Sequence, residues 1–344
     1  MKLLLFDAKQ YDKDYFEKYS KGTGIKIDYV EEKLTPETSN MAEGYDGVCI
    51  FVNDIASKEV IDDLCKFGVK IIVLRCAGYN GVDIEYAKGK ITVVRVPAYS
   101  PNSIAEIATG MLICITRKIP QAINKTKKYN FSLEGLVGFD LVNRTAGIIG
   151  TGRIAQKFIK ILIGIGMKVI AYDLYPNHDV AKELGFKYAD LETIYRDSDV
   201  ISLHSPLTNE NMHMINDDSI SKMKDNVVIV NTARGALIDT DSLIRGLKSG
   251  KILGAALDVY ENEKDYFFND CSKDGIDDEV LRELLSFDNV LLFSHQAYLT
   301  EEALTSIATV SLSNIKNFLN GEFLANEVFY DEEKGKIVDF RVKN

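Results

Sequence analysis

The sequence predicts an α/β fold of two parallel-sheet domains with a cleft between them, and three observations carry that expectation. Short, continuous apolar runs alternate with helical patterns along the chain, as in a parallel sheet covered on both faces. At AGIIGTGRIA, residues 146 to 155, one such run turns through Gly150, Gly152 and Ala155 into a helix. The length, 344 residues, suits about two domains.

The elements follow in order. KLLLFDA reads as a strand and residues 12 to 20 as an amphipathic helix. IKIDYV and DGVCIFV (46 to 52) are the next strands, then come a helix over 56 to 67 and the strands KIIVLR and ITVVRV, the last ending before Pro97. Ser100 and Pro101 suit the N-cap and first position of a long apolar helix, NSIAEIATGMLICITRKI, which Pro120 ends or kinks. This helix is the expected bridge into the second domain. A polar stretch, 121 to 145, leads to the glycine turn. The helix after the turn places Ile154, Phe158, Ile161 and Leu162 on one face, and Gly164 and Gly166 end it. MKVIAYD, ending at Asp173, DVISLHS, NVVIVNT, ILGAALDVY and NVLLFSH are further strands. Residues 261 to 280, polar and acidic, read as a surface loop. The final helix runs from about Thr300 to Leu319, and its polar tail is expected to return to the N-terminal unit. The domains are then 1–99 with 300–344, for substrate, and 100–299, for a dinucleotide.

The glycine turn has a physical reading. Gly150 permits a tight turn, Gly152 lets backbone approach a pyrophosphate, and Ala155 is small enough for close helix–strand packing. The helix N-terminus offers unpaired N–H groups to phosphate. Asp173, about 20 residues further on, can accept ribose hydroxyls, and its charge favours NAD(H) over NADP(H).

Composition sets limits. The net charge of −10 argues against a nucleic-acid partner or an anionic membrane surface; Lys125, Lys127 and Lys128 read as a solvated face. No apolar stretch is long enough to span a membrane, and MKLLLFDAKQ is too short in apolar residues for a signal peptide. The five cysteines include no CxxC pair. Cys49, Cys76 and Cys114 read as small core residues, and reduced thiols fit a cytoplasmic location. There is no GxSxG elbow, no HExxH, no clustered metal-ligand set and no P-loop ending.

Three later strands end in reactive side chains: Arg234 after NVVIVNT, Asp258 and then Glu263 after ILGAAL, and His295 after NVLLFS. They are spaced about one β–α unit apart, so a parallel sheet brings them to one edge. Reduction of a ketone leaves charge on oxygen and needs a proton donor, for which histidine is suited. A carboxylate beside it holds the ring, and an arginine fork binds a substrate carboxylate. Each has a plainer reading. Arg234 could pair with a surface acid, Glu261 rivals Glu263, and His295 could be a satisfied strand-end residue. His204, ending a strand in SLHSPLT, is a competing acid, though it also fits the lining of the cofactor cleft. His178 and His213 lie in polar loops and read as exposed.

RCAGYNGVDI, VRVPAYSP, NFSLEGLVGFDL, TAGIIGTGRIA, DVISLHSPLT, VNTARGALID, LDVYENE and FSHQAYLTEEAL together resemble the D-isomer-specific 2-hydroxyacid dehydrogenases, most closely the bacterial fermentative D-lactate branch. Gln296, after the histidine, fits that branch, where many other members carry an apolar residue or threonine. The resemblance implies two Rossmann-like or flavodoxin-like domains, NAD as cofactor, and NADH-dependent reduction of pyruvate to D-lactate. Alternatives are a bulkier 2-keto acid or a non-enzymatic NAD-sensing scaffold. It implies Arg234 as the residue orienting the carboxylate and ketone, Glu263 as the partner of the histidine and His295 as the acid/base. Substrate contacts fall to the backbone of Ala77 and Gly78 and to Tyr99, Tyr298 and Phe51. Cofactor contacts fall to Gly150, Gly152, Arg153, Ile154, Asp173, His204, Pro206, Thr232, Ala233 and Asp258. It also implies a homodimer or homotetramer, with no metal, nucleic acid or membrane partner.

Overall fold

A computed structural model describes residues 1–339; residues 340–344 of the expected first domain lie outside the described residues. The chain divides into two compact units, Met1–Ser100 with the stretch from Leu299 onward, and Pro101–Tyr298. The structure is α/β, with one parallel sheet of five strands and one of seven.

The first unit runs β1 (Lys2–Leu5), α1 (Gln10–Ser20), β2 (Lys26–Tyr29), β3 (Gly47–Ile50), α2 (Lys58–Lys66), β4 (Ile71–Leu74), α3 (Ile84–Ala87) and β5 (Thr92–Arg95). The sheet order is β2-β1-β3-β4-β5. β3 and β4 are buried at every position, as central strands covered on both faces must be.

The second unit begins with α4 (Pro101–Thr116), α5 (Ile119–Lys127), β6 (Thr145–Ile149), α6 (Arg153–Ile165), β7 (Lys168–Tyr172), α7 (His178–Leu184) and β8 (Lys187–Tyr188). It continues through α8 (Leu191–Asp197), β9 (Val200–Leu203), α9 (Asp217–Lys222), β10 (Val227–Asn231), α10 (Thr240–Ser249), β11 (Ile252–Leu257), α11 (Glu279–Leu285) and β12 (Val290–Leu292). The order is β12-β11-β10-β9-β6-β7-β8. α4 packs against α6, β10, β11 and β12 through Ala105, Ala108, Met111 and Leu112.

The chain then returns to the first unit with α12 (Glu301–Leu319), β13 (Val328–Asp331) and β14 (Lys336–Asp339). The Thr300 hydroxyl caps α12 by accepting the Ala303 N–H. Asn314 donates its amide to the Arg95 carbonyl at 2.9 Å, and the Arg95 N–H bonds the Asn326 carbonyl at 3.0 Å. The tail is thus tied to β5 and closes in an antiparallel hairpin, a pairing too short for its polar sequence to announce.

Several local expectations need correction. Pro120 does not end the long helix: α4 stops at Thr116, Lys118 takes a left-handed φ of 52°, and Pro120 sits in the first turn of α5. There its missing N–H costs no helical hydrogen bond. Gly164 lies within α6, and Gly166 alone ends it, with φ 95°. The buried face of α6 is Ala155, Phe158, Ile159 and Leu162. Ile154 and Ile161 are half-buried at its margin. The stretch 261–280 is not a plain surface loop: Phe267 is buried, and Tyr260 Oη donates to Asp278 at 2.7 Å. Cys49 and Cys76 are core residues, but Cys114 is half-buried.

Candidate active site

In the second unit the chain leaves β6 for β7 on one side and reaches β9 on the other, which makes the end of β6 a topological switch point. Gly150 sits there with φ 91°, and a Cβ would stand 2.8 Å from the His204 carbonyl carbon and the Ser205 nitrogen. Any other residue would be strained and would push β6 from β9. A Cβ on Gly152 would meet nothing within 4 Å, so open space lies over that turn. Gly152 is also the N-cap of α6 and has no side chain with which to cap it. The first N–H groups of α6 are therefore left for a ligand, with Arg153 exposed and Ile154 half-buried beside them.

Asp173 follows β7. Its Oδ2 accepts the Thr151 N–H at 2.6 Å and the Thr151 hydroxyl at 2.8 Å, and its Oδ1 accepts the Tyr175 N–H at 2.9 Å. Burial works to raise the carboxyl, but these hydrogen bonds outweigh it and hold Asp173 below its ordinary value. His204 Nε2 lies 2.9 Å from Ser202 Oγ, and its ring packs on Phe158 at 5.3 Å. Burial pushes it down to about 4, so it is neutral near pH 7 and a poor rival to His295 as the acid. The exposed Pro206 has its carbonyl held by Asn211 at 2.7 Å. Ser205 Oγ and Thr232 Oγ1, after β9 and β10, are buried without a hydrogen-bond partner. Orphaned polar atoms at this edge, open space over Gly152 and an uncapped helix all fit NAD.

The three reactive residues stand on loops held by buried polar groups. Asn231, the last residue of β10, accepts the Ala233 N–H at 3.0 Å and donates to the Arg234 carbonyl at 2.9 Å. Gly235 follows, where a Cβ would stand 2.1 Å from the Tyr260 carbonyl carbon; the Arg234 loop therefore rests directly on the backbone before Glu263. The Arg234 guanidinium donates to the Ala233 carbonyl at 2.7 Å. Asp258, 1% exposed, accepts the Gln296 N–H at 2.9 Å and the Ala297 N–H at 3.0 Å, and its carbonyl takes the His295 N–H at 2.7 Å. Expected near a nicotinamide, its carboxylate here braces the histidine loop. Burial pushes it up to about 6, against the pull of His295 and of those N–H groups.

His295 adopts φ 55°, an uncommon conformation for a non-glycine residue, and its Nδ1 lies 2.8 Å from Glu263 Oε1. Glu263 Oε2 accepts the Tyr260 N–H at 3.2 Å, so both its oxygens are engaged. Glu261 points elsewhere. It pairs with His213 at 2.9 Å and accepts the Thr240 N–H, which also corrects the reading of His213 as a free surface residue; His178 is exposed. Tyr298 is buried just beyond the histidine loop.

In the first unit, Phe51 is buried after β3, with the Arg75 guanidinium 4.8 Å from its ring centre. Asp54 accepts the Leu34 N–H at 2.6 Å and the Phe51 N–H at 2.5 Å, fixing that turn. Ala77 accepts a guanidinium hydrogen bond from Arg95, the Cys76 thiol reaches the Gly78 carbonyl at 3.2 Å, and Tyr99 is half-buried. Among the described residues no cluster of His, Cys, Asp or Glu could hold a metal, and no helix is long and apolar enough to cross a membrane.

Sequence reasoning missed Asn231, Gly235, Thr151 and Ser205. Asn231 had a signal, a polar residue at the end of an apolar strand, but its partners are fixed only by the loop it holds. The close approach at Gly235 joins segments distant in sequence.

Residues 109–297 match the family model described as the D-isomer-specific 2-hydroxyacid dehydrogenase NAD-binding domain. The chain is 49% identical to a D-lactate dehydrogenase of Escherichia coli, over 95% of this chain and all of that one. It is 43% identical to an aromatic 2-oxoacid reductase of Clostridium sporogenes, over 92% and 96%. The apo structure of the Escherichia coli D-lactate dehydrogenase superposes with a TM-score of 0.87, at 47% identity, covering 95% of this chain and 99% of that chain.

Proposed function

This chain belongs to the D-isomer-specific 2-hydroxyacid dehydrogenases, and from that premise we propose that it reduces pyruvate to D-lactate, reversibly, with His295 as proton donor. As an NAD-dependent D-2-hydroxyacid dehydrogenase it is an enzyme, not a sensing scaffold. The observation that carries the finer reading is the 2.8 Å pair of His295 Nδ1 and Glu263. With Nδ1 engaged, Nε2 is the nitrogen left to hand a proton to the ketone oxygen. Glu263, held at both oxygens, keeps the ring from turning. Arg234 has one donor committed to Ala233. The rest of its fork serves the substrate carboxylate and carbonyl. NADH, when bound, supplies the hydride.

The remaining assignments belong to the same proposal. The backbone of Ala77 and Gly78 contacts the carboxylate, and Tyr99, Tyr298 and Phe51 crowd the methyl end. Gly150, Gly152, Arg153 and Ile154 serve the pyrophosphate, Asp173 the ribose, and His204 and Pro206 the adenosine side. Thr232, Ala233 and Asp258 lie toward the nicotinamide. A homodimer or homotetramer through the cofactor unit completes the reading. Tyr129, Phe131, Leu133 and Val137 there are 73–87% exposed, an apolar row that a second copy removes from water.

The 43% identity to an aromatic 2-oxoacid reductase favours a second reading, a bulkier keto acid. The test is kcat/KM for pyruvate, 2-oxoisocaproate and phenylpyruvate with NADH and NADPH, with the handedness of the product. One methylene is worth about 1–3 kcal/mol in such a pocket, so pyruvate should lead by a modest factor. A lead for phenylpyruvate overturns pyruvate as substrate and leaves the class intact.

A further inference from the structure

The Asp173 carboxylate is the end of a chain of hydrogen bonds that runs in one direction. The Asn177 N–H has only a donor to offer, and it reaches Tyr188 Oη at 3.0 Å. Tyr188 Oη lies 2.9 Å from Thr151 Oγ1. Thr151 Oγ1 lies 2.8 Å from Asp173 Oδ2, which as a carboxylate oxygen only accepts. The Thr151 hydrogen must therefore point at Asp173, and the Tyr188 hydrogen at Thr151. The Tyr188 ring is itself fixed, edge-on to His178 at 5.4 Å and to Phe186 at 5.2 Å.

Acceptor capacity then decides what Asp173 can do. An ionised carboxylate has about four lone-pair sites. Oδ2 already takes two hydrogen bonds, both from Thr151, and Oδ1 takes one from Tyr175. One site is left, on Oδ1. We propose that Thr151 and Tyr188 are specificity-determining residues for the cofactor, because their relay into Asp173 fixes the carboxylate with a single acceptor site turned to the ribose. A ribose hydroxyl can donate to that site. A 2′-phosphate oxygen meets a fixed negative charge with no proton to share. Thr151 and Tyr188 lie 37 positions apart and outside the usual acidic-residue signal of dinucleotide selectivity. The inference rests on Asp173 as the ribose acceptor.

The test is the ratio of kcat/KM with NADH to that with NADPH, together with NADH affinity by fluorescence titration, in Thr151→Val, Thr151→Ser, Tyr188→Phe and Asp173→Asn. Thr151→Val keeps the shape and removes the hydroxyl, and a hydrogen bond to a charged group is worth a factor of about ten or more. NADH affinity and the ratio should fall by about that factor, while kcat/KM with NADPH holds or rises. Thr151→Ser should restore both, and Tyr188→Phe should lower the ratio by about fivefold, as for an ordinary hydrogen bond. Equal losses with both cofactors in Thr151→Val mean that the residue only shapes the turn, and overturn the proposal. A ratio moved by Asp173→Asn but not by Thr151→Val also overturns it, leaving Asp173 in place. A ratio unmoved by Asp173→Asn overturns the ribose assignment itself.

Discussion

The two sheets share a topology at one point and differ there in chemistry. In each, the first strand lies between the next strand and a later one, β1 between β2 and β3, and β6 between β7 and β9. Each first strand feeds a helix, α1 or α6. The start of α1 is closed by its own acids. The buried Asp12 accepts the Lys9 N–H at 3.1 Å and lies 3.3 Å from Arg75 Nε, and Asp7 pairs with Lys9 Nζ at 2.9 Å. The start of α6 has no acid in its first turn and no capping side chain. The start of α1 is filled by these ion pairs, and that of α6 is open to an anion. A switch point alone does not open a strand end to an anion; an uncapped helix end does.

The largest effect is expected at Gly150. Gly150→Ala places a side chain at φ 91° and 2.8 Å from the His204 and Ser205 backbone. Left-handed strain costs roughly 1–2 kcal/mol, and a displacement near 1 Å is enough for a loss of about 10²-fold. kcat/KM should fall by about that factor or more, with weaker NADH binding by fluorescence titration and a lower Tm.

A smaller effect is expected at Asp258. Asp258→Asn puts an amide against two backbone N–H groups, Gln296 and Ala297. One of them loses a charge-assisted bond worth about 1.5–3 kcal/mol, and the His295 loop shifts. kcat should fall by about 10- to 100-fold, a larger loss than that in NADH affinity. Stability has a pH signature as well. Asp258 titrates at about 6 in the fold against an ordinary 3.8. Between those values the folded state holds more protons than the unfolded one. Its contribution to stability therefore grows as pH falls through about 6 and is a constant penalty above it. That dependence should vanish from the Tm profile of Asp258→Asn.

Much of this was legible in the sequence. The strand–turn–helix around Gly150 and the acid after β7 announce an NAD-binding domain because each feature is local. The α/β class was legible because buried parallel strands read as unbroken apolar runs. What was not legible depends on contacts between distant segments. Asn231 and Asp258 look like ordinary polar residues until the loops they brace are in place. The choice between Glu261 and Glu263 is made by three-dimensional partners, His213 for one and His295 for the other. Pro120 was misread because a proline that breaks one helix serves equally well in the first turn of the next.

Proton donation by His295, oriented by Glu263, carries the proposed reaction. Its most direct test is kcat/KM for pyruvate at saturating NADH, measured against pH in the native enzyme and in His295→Gln, with NADH affinity followed alongside. Reduction by the native enzyme should fall as rising pH strips the donor's proton. His295→Gln should lose about 10²–10⁴-fold and show no such fall, while binding NADH nearly as before. Burial, which pushes His204 down to about 4, disfavours it as a replacement donor. A variant that keeps its rate within about tenfold, or keeps the alkaline fall, contradicts the account.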